Sequence, residues 1–302
     1  MDLHCIKKYP SYFFTEISKF KMASIRRPEH KAPPDIFYNS DEAQKYTTNT
    51  RMIEIQTTMS ERAIELLGLP DDIPCFVLDL GCGSGLSGEC LEENGHFWVG
   101  IDISHSMLEV AKEREVEGDL IHGDLGDGLP FKAGAFDGAM SISALQWLCN
   151  ADKSYHNPIK RLFKFFTSLY ACLSRGARAV FQFYPENPKQ IEMITSQAMK
   201  SGFTGGLVVD YPNSTKAKKY FLVLMTGGQQ QLPRALGSEG AGAQRNSHVS
   251  YEDKRERMKK ARGKPLKKSR DWIMEKKERR RKQGKETRPD TKFTGRKRAG
   301  RD

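Results

Sequence analysis

Short, continuous apolar runs alternate along the chain with segments whose apolar positions recur every three to four residues. Runs of the first kind predict strands buried on both faces, and the second kind predicts amphipathic helices. A helix is expected from Asp41 to Leu67, capped by Asp41, with Ile53, Met59, Ala63, Leu66 and Leu67 buried and with Gly68 and Pro70 ending it. Cys75–Leu80 (CFVLDL) then reads as a strand, followed by a glycine turn and a helix through Leu91. His96–Ile101 (HFWVGI) is a second strand, after which Ser104 caps a helix carrying Met107, Leu108 and Ala111. A short strand near Leu120–His122 and a longer one at Phe136–Ile142 precede a helix around Lys160–Leu173 and the strand Ala177–Phe183. A helix around Lys189–Ser201 leads to the strands Gly206–Asp210 and Lys219–Met225. Apolar strands separated by helices predict an α/β fold with a mostly parallel, seven-stranded sheet covered on both faces. The segment between the last two strands contains Pro212 and Asn213 and is too short for a helical crossover, so those strands are expected to form an antiparallel hairpin.

Charge divides the chain further. Of its 49 Lys+Arg and 38 Asp+Glu, 25 and 10 lie between Arg234 and Asp302, so that stretch carries +15 and the first 233 residues carry −4. A mean hydropathy of −0.62 is low for a chain packed from end to end. The pattern sets out an N-terminal extension (1–21), a Pro-rich basic arm (22–40) expected to be extended through Pro33 and Pro34, and a folded domain (41–226). A Gln/Gly/Ser linker (227–250) and a basic, flexible tail (251–302), expected to order only on a partner, complete it. Met22 offers a second start, and Met1–Lys21 lacks the apolar core and cleavage site of a signal peptide. No run approaches the ~18 apolar residues of a transmembrane helix, and the tail lacks the apolar stripe that enters a bilayer. The tail's charge therefore points to a nucleic acid rather than a membrane. The six cysteines form no CxxC pair and no Cys/His cluster of zinc-ligand spacing, which predicts free thiols and no metal site.

The candidate chemistry begins at Asp79-Leu-Gly-Cys-Gly-Ser-Gly85, directly after the first apolar strand. Gly81, Gly83 and Gly85 permit a tight turn and close ligand approach, and the helix that follows presents its N-terminal N–H groups. Asp102 ends the second strand, where a carboxylate can accept both hydroxyls of a ribose. Asp124 and Leu125 end the third, where they can meet the amino group and face of an adenine. The string resembles motif I of class I S-adenosylmethionine methyltransferases (E/D-x-G-x-G-x-G). The resemblance implies a Rossmann-like fold and a cofactor site of Asp79, Gly81, Cys82, Gly83, Gly85, Asp102, Ile103, Asp124 and Leu125. Arg51, on the first helix, is a candidate for the cofactor carboxylate. Gly83-x-Gly85-x-x-Gly88 also fits a nicotinamide-dinucleotide fingerprint, which stays open as a second reading.

Substrates in such folds meet the cofactor beyond the carboxyl ends of the strands. Trp147, in Ser141–Trp147 (SISALQW), and Tyr184, in FYPE, are candidates to position an aromatic base, and Phe37 and Tyr38 of the arm are candidates for a lid. A ring nitrogen such as guanine N7 has an in-plane lone pair and needs no general base, only alignment and exclusion of water. The segments RRPEHKAPPDIFY, DLGCGSGLSG, SISALQWLCNA and VVDYPNSTKAKKYFL, with the tail KSRDWIMEKKERRRKQGKETRPDTKFTGRKR, resemble the eukaryotic 18S ribosomal RNA guanine-N7 methyltransferases, whose human form lies in the Williams–Beuren syndrome region. The likeness runs from about Met22 to the C-terminus; Met1–Lys21 and the linker at 227–247 depart from the family pattern. It implies N7-methylation of one guanosine in 18S rRNA, action on the pre-40S particle, and residence in nucleus and nucleolus as well as cytoplasm. It further implies a heterodimer with a small zinc-binding activator subunit paired to the edge strand near Asp119–Gly123. A small-molecule methyltransferase, and an assembly factor whose presence matters more than its catalysis, are the alternatives.

Overall fold

The computed structural model describes residues 27–70, 73–215, 217–228, 231–237, 270–282, 287–291 and 294. Seven strands form one sheet: β1 (Phe76–Leu80), β2 (Phe97–Asp102), β3 (Asp119–His122), β4 (Phe136–Ile142), β5 (Leu173–Phe183), β6 (Thr204–Asp210) and β7 (Lys219–Met225), in the order β3-β2-β1-β4-β5-β7-β6. β1 to β5 pair in parallel. β7 pairs antiparallel with both β5 and β6. The expected α/β class, the seven-stranded sheet and the terminal hairpin are all present, and β7 inserts between its two neighbours rather than lying outermost.

The helices are α1 (Ser40–Thr48), α2 (Thr50–Leu67), α3 (Leu86–Glu93), α4 (His105–Glu113), α5 (Pro158–Cys172), α6 (Pro188–Lys200) and α7 (Arg270–Lys282). Side chains alternate along β5: Ala177, Ala179, Phe181 and Phe183 join Leu162, Phe165, Phe166 and Leu169 of α5 and Ile194 and Ala198 of α6 in one buried cluster. Arg178, between them in sequence, reaches the other way and donates to the carbonyl of Leu66 at the end of α2 (3.4 Å). Helices therefore cover both faces, as the apolar strands require. Parallel strands leave their carboxyl ends together, and the turns after β1, β2, β3 and β4 gather at that edge.

Several boundaries differ from the sequence reading. The helix expected over Asp41–Leu67 is two, α1 and α2, broken at Asn49. The side chain of Asn39, not Asp41, caps α1 by accepting from the Glu42 N–H, and that of Asn49 caps α2 by accepting from the Met52 N–H. Asn49 has extended backbone (φ −75°, ψ 101°), which ends one helix and starts the next, and Ile53 is only half-buried as a result. The arm is not extended: Pro28–His30 is a 3₁₀ turn and Pro34–Phe37 a single helical turn, each opened by a proline whose missing N–H costs nothing there. The start of the expected linker is docked, since Leu236 N–H donates to Asp210 (2.8 Å), Leu236 carbonyl accepts from Tyr211 N–H (2.7 Å), and Arg62 donates to the Arg234 carbonyl (2.9 Å). The extension 1–21, the arm before Arg27 and most of 238–302 lie outside the described residues. Within the tail, α7 is helical, and Lys277 and Arg281 both pair with Asp290.

Candidate active site

The first turn beyond the sheet is shaped by positions at which a side chain cannot be accommodated. Gly81 has φ 75°, and a Cβ there would lie 2.3 Å from the Cβ of Ala144. The N–H of Gly81 donates to the Ile101 carbonyl (2.8 Å), and that of Gly85 to the Cys82 carbonyl (2.9 Å), so the loop is closed by its own backbone. Asp102 ties this loop to the next strand: its carboxylate accepts from Gly83 N–H (2.9 Å) and from Ser104 N–H (2.8 Å). Burial raises the Asp102 pKa above the usual carboxylate range, while those N–H groups pull it back.

Asp79 lies beneath the loop and is fully buried. Ser87 donates to its Oδ2 (2.6 Å), while Oδ1 has no hydrogen-bond partner among the described residues. Burial pushes its pKa up to about 7, with the Ser87 bond lowering it and the charge of Asp102 raising it. The hydroxyl of Ser84 is also buried without a partner among the described residues. A buried unpaired acceptor and donor beside a glycine turn fit the ammonium and carboxylate of a methionine moiety. The residues present thus accommodate S-adenosylmethionine.

A cleft opens over the loop, lined by Gly81, Cys82, Gly83, Asp102 and Ile103 on one side and Asp124 and Leu125 on another. Arg161 of α5 grips Asp124 with two short bonds (2.6 and 2.7 Å), and its own flank covers Gly126. The guanidinium leaves Asp124 a fixed acceptor at the cleft wall rather than a free one. Gly85 does not line the cleft; its role is behind it, where a Cβ would meet Val116 at 2.6 Å. Burial drives the Cys82 thiol well above its usual pKa, so it stands there as a neutral wall and not a nucleophile.

Arg51 is not part of this arrangement. The break at Asn49 puts it in the first exposed turn of α2, about 140° around the helix from Gln56, which does line the cleft. The polar groups on that wall are instead Tyr46 and Gln56. Burial, followed by neighbouring charge, pushes the phenols of Tyr38 and Tyr46 far above their usual range, so both remain protonated donors.

A second cleft adjoins the first, and Tyr38, Tyr46, Gln56, Ser143 and Trp147 line both. Trp147 is 7% exposed, with the rings of Phe37 (6.0 Å) and Tyr38 (5.7 Å) against it. The arm residues therefore stand at the pocket as a cover. Tyr38 is fastened by Ser104, whose hydroxyl donates to its carbonyl (2.7 Å), and Arg27 fastens the arm's start by donating to the carbonyls of Tyr184 (3.0 Å) and Pro185 (3.2 Å). Tyr184 lines only the second cleft, its hydroxyl toward the Met59 sulfur (3.4 Å) and Lys219 over its ring (5.2 Å). Ser143 takes φ 58°, a strained value for a residue with a side chain, and holds it through bonds to Gln182 (2.9 and 2.8 Å). Sequence reasoning missed Arg161, Tyr46 and Gln56, because distant elements bring them in and no local string announces them, and it missed Ser143 although that residue lies within the SISALQW string.

Comparison with known proteins gives the family. Residues 78–181 match the model of a methyltransferase domain, and residues 224–300 match the model described as a methyltransferase involved in Williams-Beuren syndrome. The chain is 58% identical over 273 residues to the 18S rRNA (guanine-N7)-methyltransferase of Mus musculus, covering 90% of this chain and 97% of that one. It is 56% identical over 282 residues to the Arabidopsis thaliana protein of that activity (90% and 98% covered). For the Saccharomyces cerevisiae protein the figure is 50% over 276 residues (91% and 98%). The chain belongs to the family of eukaryotic 18S rRNA (guanine-N7)-methyltransferases.

Proposed function

We propose that this protein transfers the methyl group of S-adenosylmethionine to N7 of a guanosine in 18S rRNA during assembly of the small ribosomal subunit. The observation that carries the reading is the pair of adjoining clefts: one built on the glycine loop and Asp102, the other walled by aromatic side chains, with Trp147 and Tyr38 common to both. When bound, S-adenosylmethionine supplies an electrophilic methyl on a positively charged sulfur. Asp102 is placed to hold the ribose hydroxyls, Asp79 and Ser84 the methionine end, and Leu125 an adenine face. The net −4 of the first 233 residues favours that positive charge. Trp147, Tyr184 and Phe37 hold a base flat and exclude water, which is what an N7 lone pair requires of its enzyme. No proton has to leave N7, and the neutral Tyr38 and Tyr46 phenols beside it fit a site without a general base.

Three further parts belong to the same proposal. The basic tail contacts the phosphates of the pre-40S particle. A small zinc-binding activator subunit completes a heterodimer at β3, the sheet's edge strand, whose side chains are half-buried or exposed and whose outer backbone groups are open to strand addition. The protein works in nucleus and nucleolus, with a cytoplasmic share. The test uses pre-40S particles from cells lacking the protein, incubated with the full-length chain and methyl-labelled S-adenosylmethionine. N7-methylguanosine in 18S rRNA is expected, with loss of at least ~100-fold for Asp102→Lys, which puts an ammonium where two ribose hydroxyls should bind. Label on any other atom, or an undiminished rate in the variant, overturns the reading.

A further inference from the structure

We propose that Glu29, together with the amide oxygen of Gln146, selects guanine by accepting hydrogen bonds from N1–H and the 2-amino group of the target base. The inference rests on the reading above, in which the second cleft receives that base. Glu29 lies in the 3₁₀ turn of the arm, lines the second cleft, and has a side chain only 7% exposed. Its Oε1 pairs with Arg27 at 3.3 Å, and Arg27 is itself anchored on the carbonyls after β5. The carboxylate is thereby fixed in place with Oε2 still available.

Gln146 is 5% exposed and lines the same cleft. Its Nε2 donates to the Ser143 carbonyl at 2.7 Å, which fixes the amide so that Oε1 is the group left over, and that oxygen has no partner among the described residues. A buried acceptor without a donor costs free energy unless a ligand supplies one. Gln146 Oε1 is such an acceptor, and the Glu29 carboxylate, paired through Oε1 alone among the described residues, sets a second acceptor in the same aromatic-walled cavity. Guanine carries two adjacent donors on its Watson–Crick edge. Adenine places the N1 lone pair beside its single amino group there, and a carboxylate repels that lone pair. A purine held by this edge turns its N7 side away from Glu29, and the second cleft adjoins the cofactor cleft through Tyr38, Tyr46, Gln56, Ser143 and Trp147, which line both.

The experiment compares pre-40S particles bearing the natural guanosine with particles whose 18S gene carries adenosine at that position, since adenine also has an N7 lone pair. Full-length wild-type protein and Glu29→Gln are each assayed for N7-methyl transfer to both. The ratio of the two rates is the readout, because the folded fraction of a variant cancels in it. Glu29→Gln, whose amide can donate to adenine N1, is expected to slow transfer to guanosine about 100-fold and to narrow the guanosine-to-adenosine ratio at least about 10-fold. S-adenosylmethionine affinity should stay within about 3-fold. Gln146→Met, which deletes the second acceptor, should narrow the ratio in the same direction. An unchanged ratio in both variants overturns the proposal. Wild-type protein that places no methyl on N7 of the guanosine particle overturns instead the functional reading on which it stands.

Discussion

Asp79, buried beneath the glycine loop, is a group whose protonation depends on pH. Burial holds its carboxyl at about 7, against an ordinary value of 3.8, so between about pH 4 and pH 7 the folded protein keeps a proton there that the unfolded chain has released. The ligand-free protein therefore loses stability from this group as pH rises through that window. An ammonium placed beside Oδ1 reverses the preference and expels the proton. Titration calorimetry with S-adenosylmethionine at about pH 6.5, where roughly three-quarters of Asp79 is protonated, should show net proton release when repeated in buffers of different ionisation enthalpy. Affinity should rise from pH 6 to pH 8, and Asp79→Asn should remove both effects. Proton release that persists in the variant would show that another group titrates. At this scale the glycine string, Asp79 and Asp102 were legible because seven contiguous residues and the end of the next strand carry them. Arg51 was misplaced because its direction depends on helical phase, and one unforeseen break at Asn49 resets that phase.

Among the elements, the strands were the most legible, since being buried on both faces leaves each an uninterrupted apolar run. The first helix was not: its apolar pattern crosses residue 49 without a glycine or proline to mark the break. Asparagine was the available signal, because its side chain caps both helices of this segment, Asn39 at α1 and Asn49 at α2. Asn49→Ala should lower the unfolding free energy by about 1 kcal/mol, read as a shift in urea midpoint at constant slope. A neutral result would mean that packing of Met59, Ala63, Leu66 and Leu67, not the cap, sets where α2 begins. The break also matters to the site, for it lets α1 bring Tyr46 and α2 bring Gln56 to one wall.

Over the whole molecule, charge is divided between a mildly acidic catalytic body and a strongly basic tail, a split that was plain in the sequence because it needs only counting. Removing residues 251–302 should weaken binding to 18S rRNA and flatten its salt dependence, by about 0.7 in the log–log slope for each phosphate that the tail neutralises, while leaving S-adenosylmethionine affinity unchanged. Unaltered RNA affinity across a salt series would assign the tail to another task. What sequence reading left undecided was the place of the last strand. β7 hydrogen-bonds on both flanks, to β5 and β6, although it is the last strand along the chain among the described residues. A nascent chain that has left the ribosome only as far as Asp210 thus holds β6 with nothing to pair against and β5 with an open margin. The turns after β1 and β2 are synthesised well before that gap can be filled. A stop codon shortly before residue 219 would remove an inner board of the floor, the one that ties β6 to the rest, rather than trim its end.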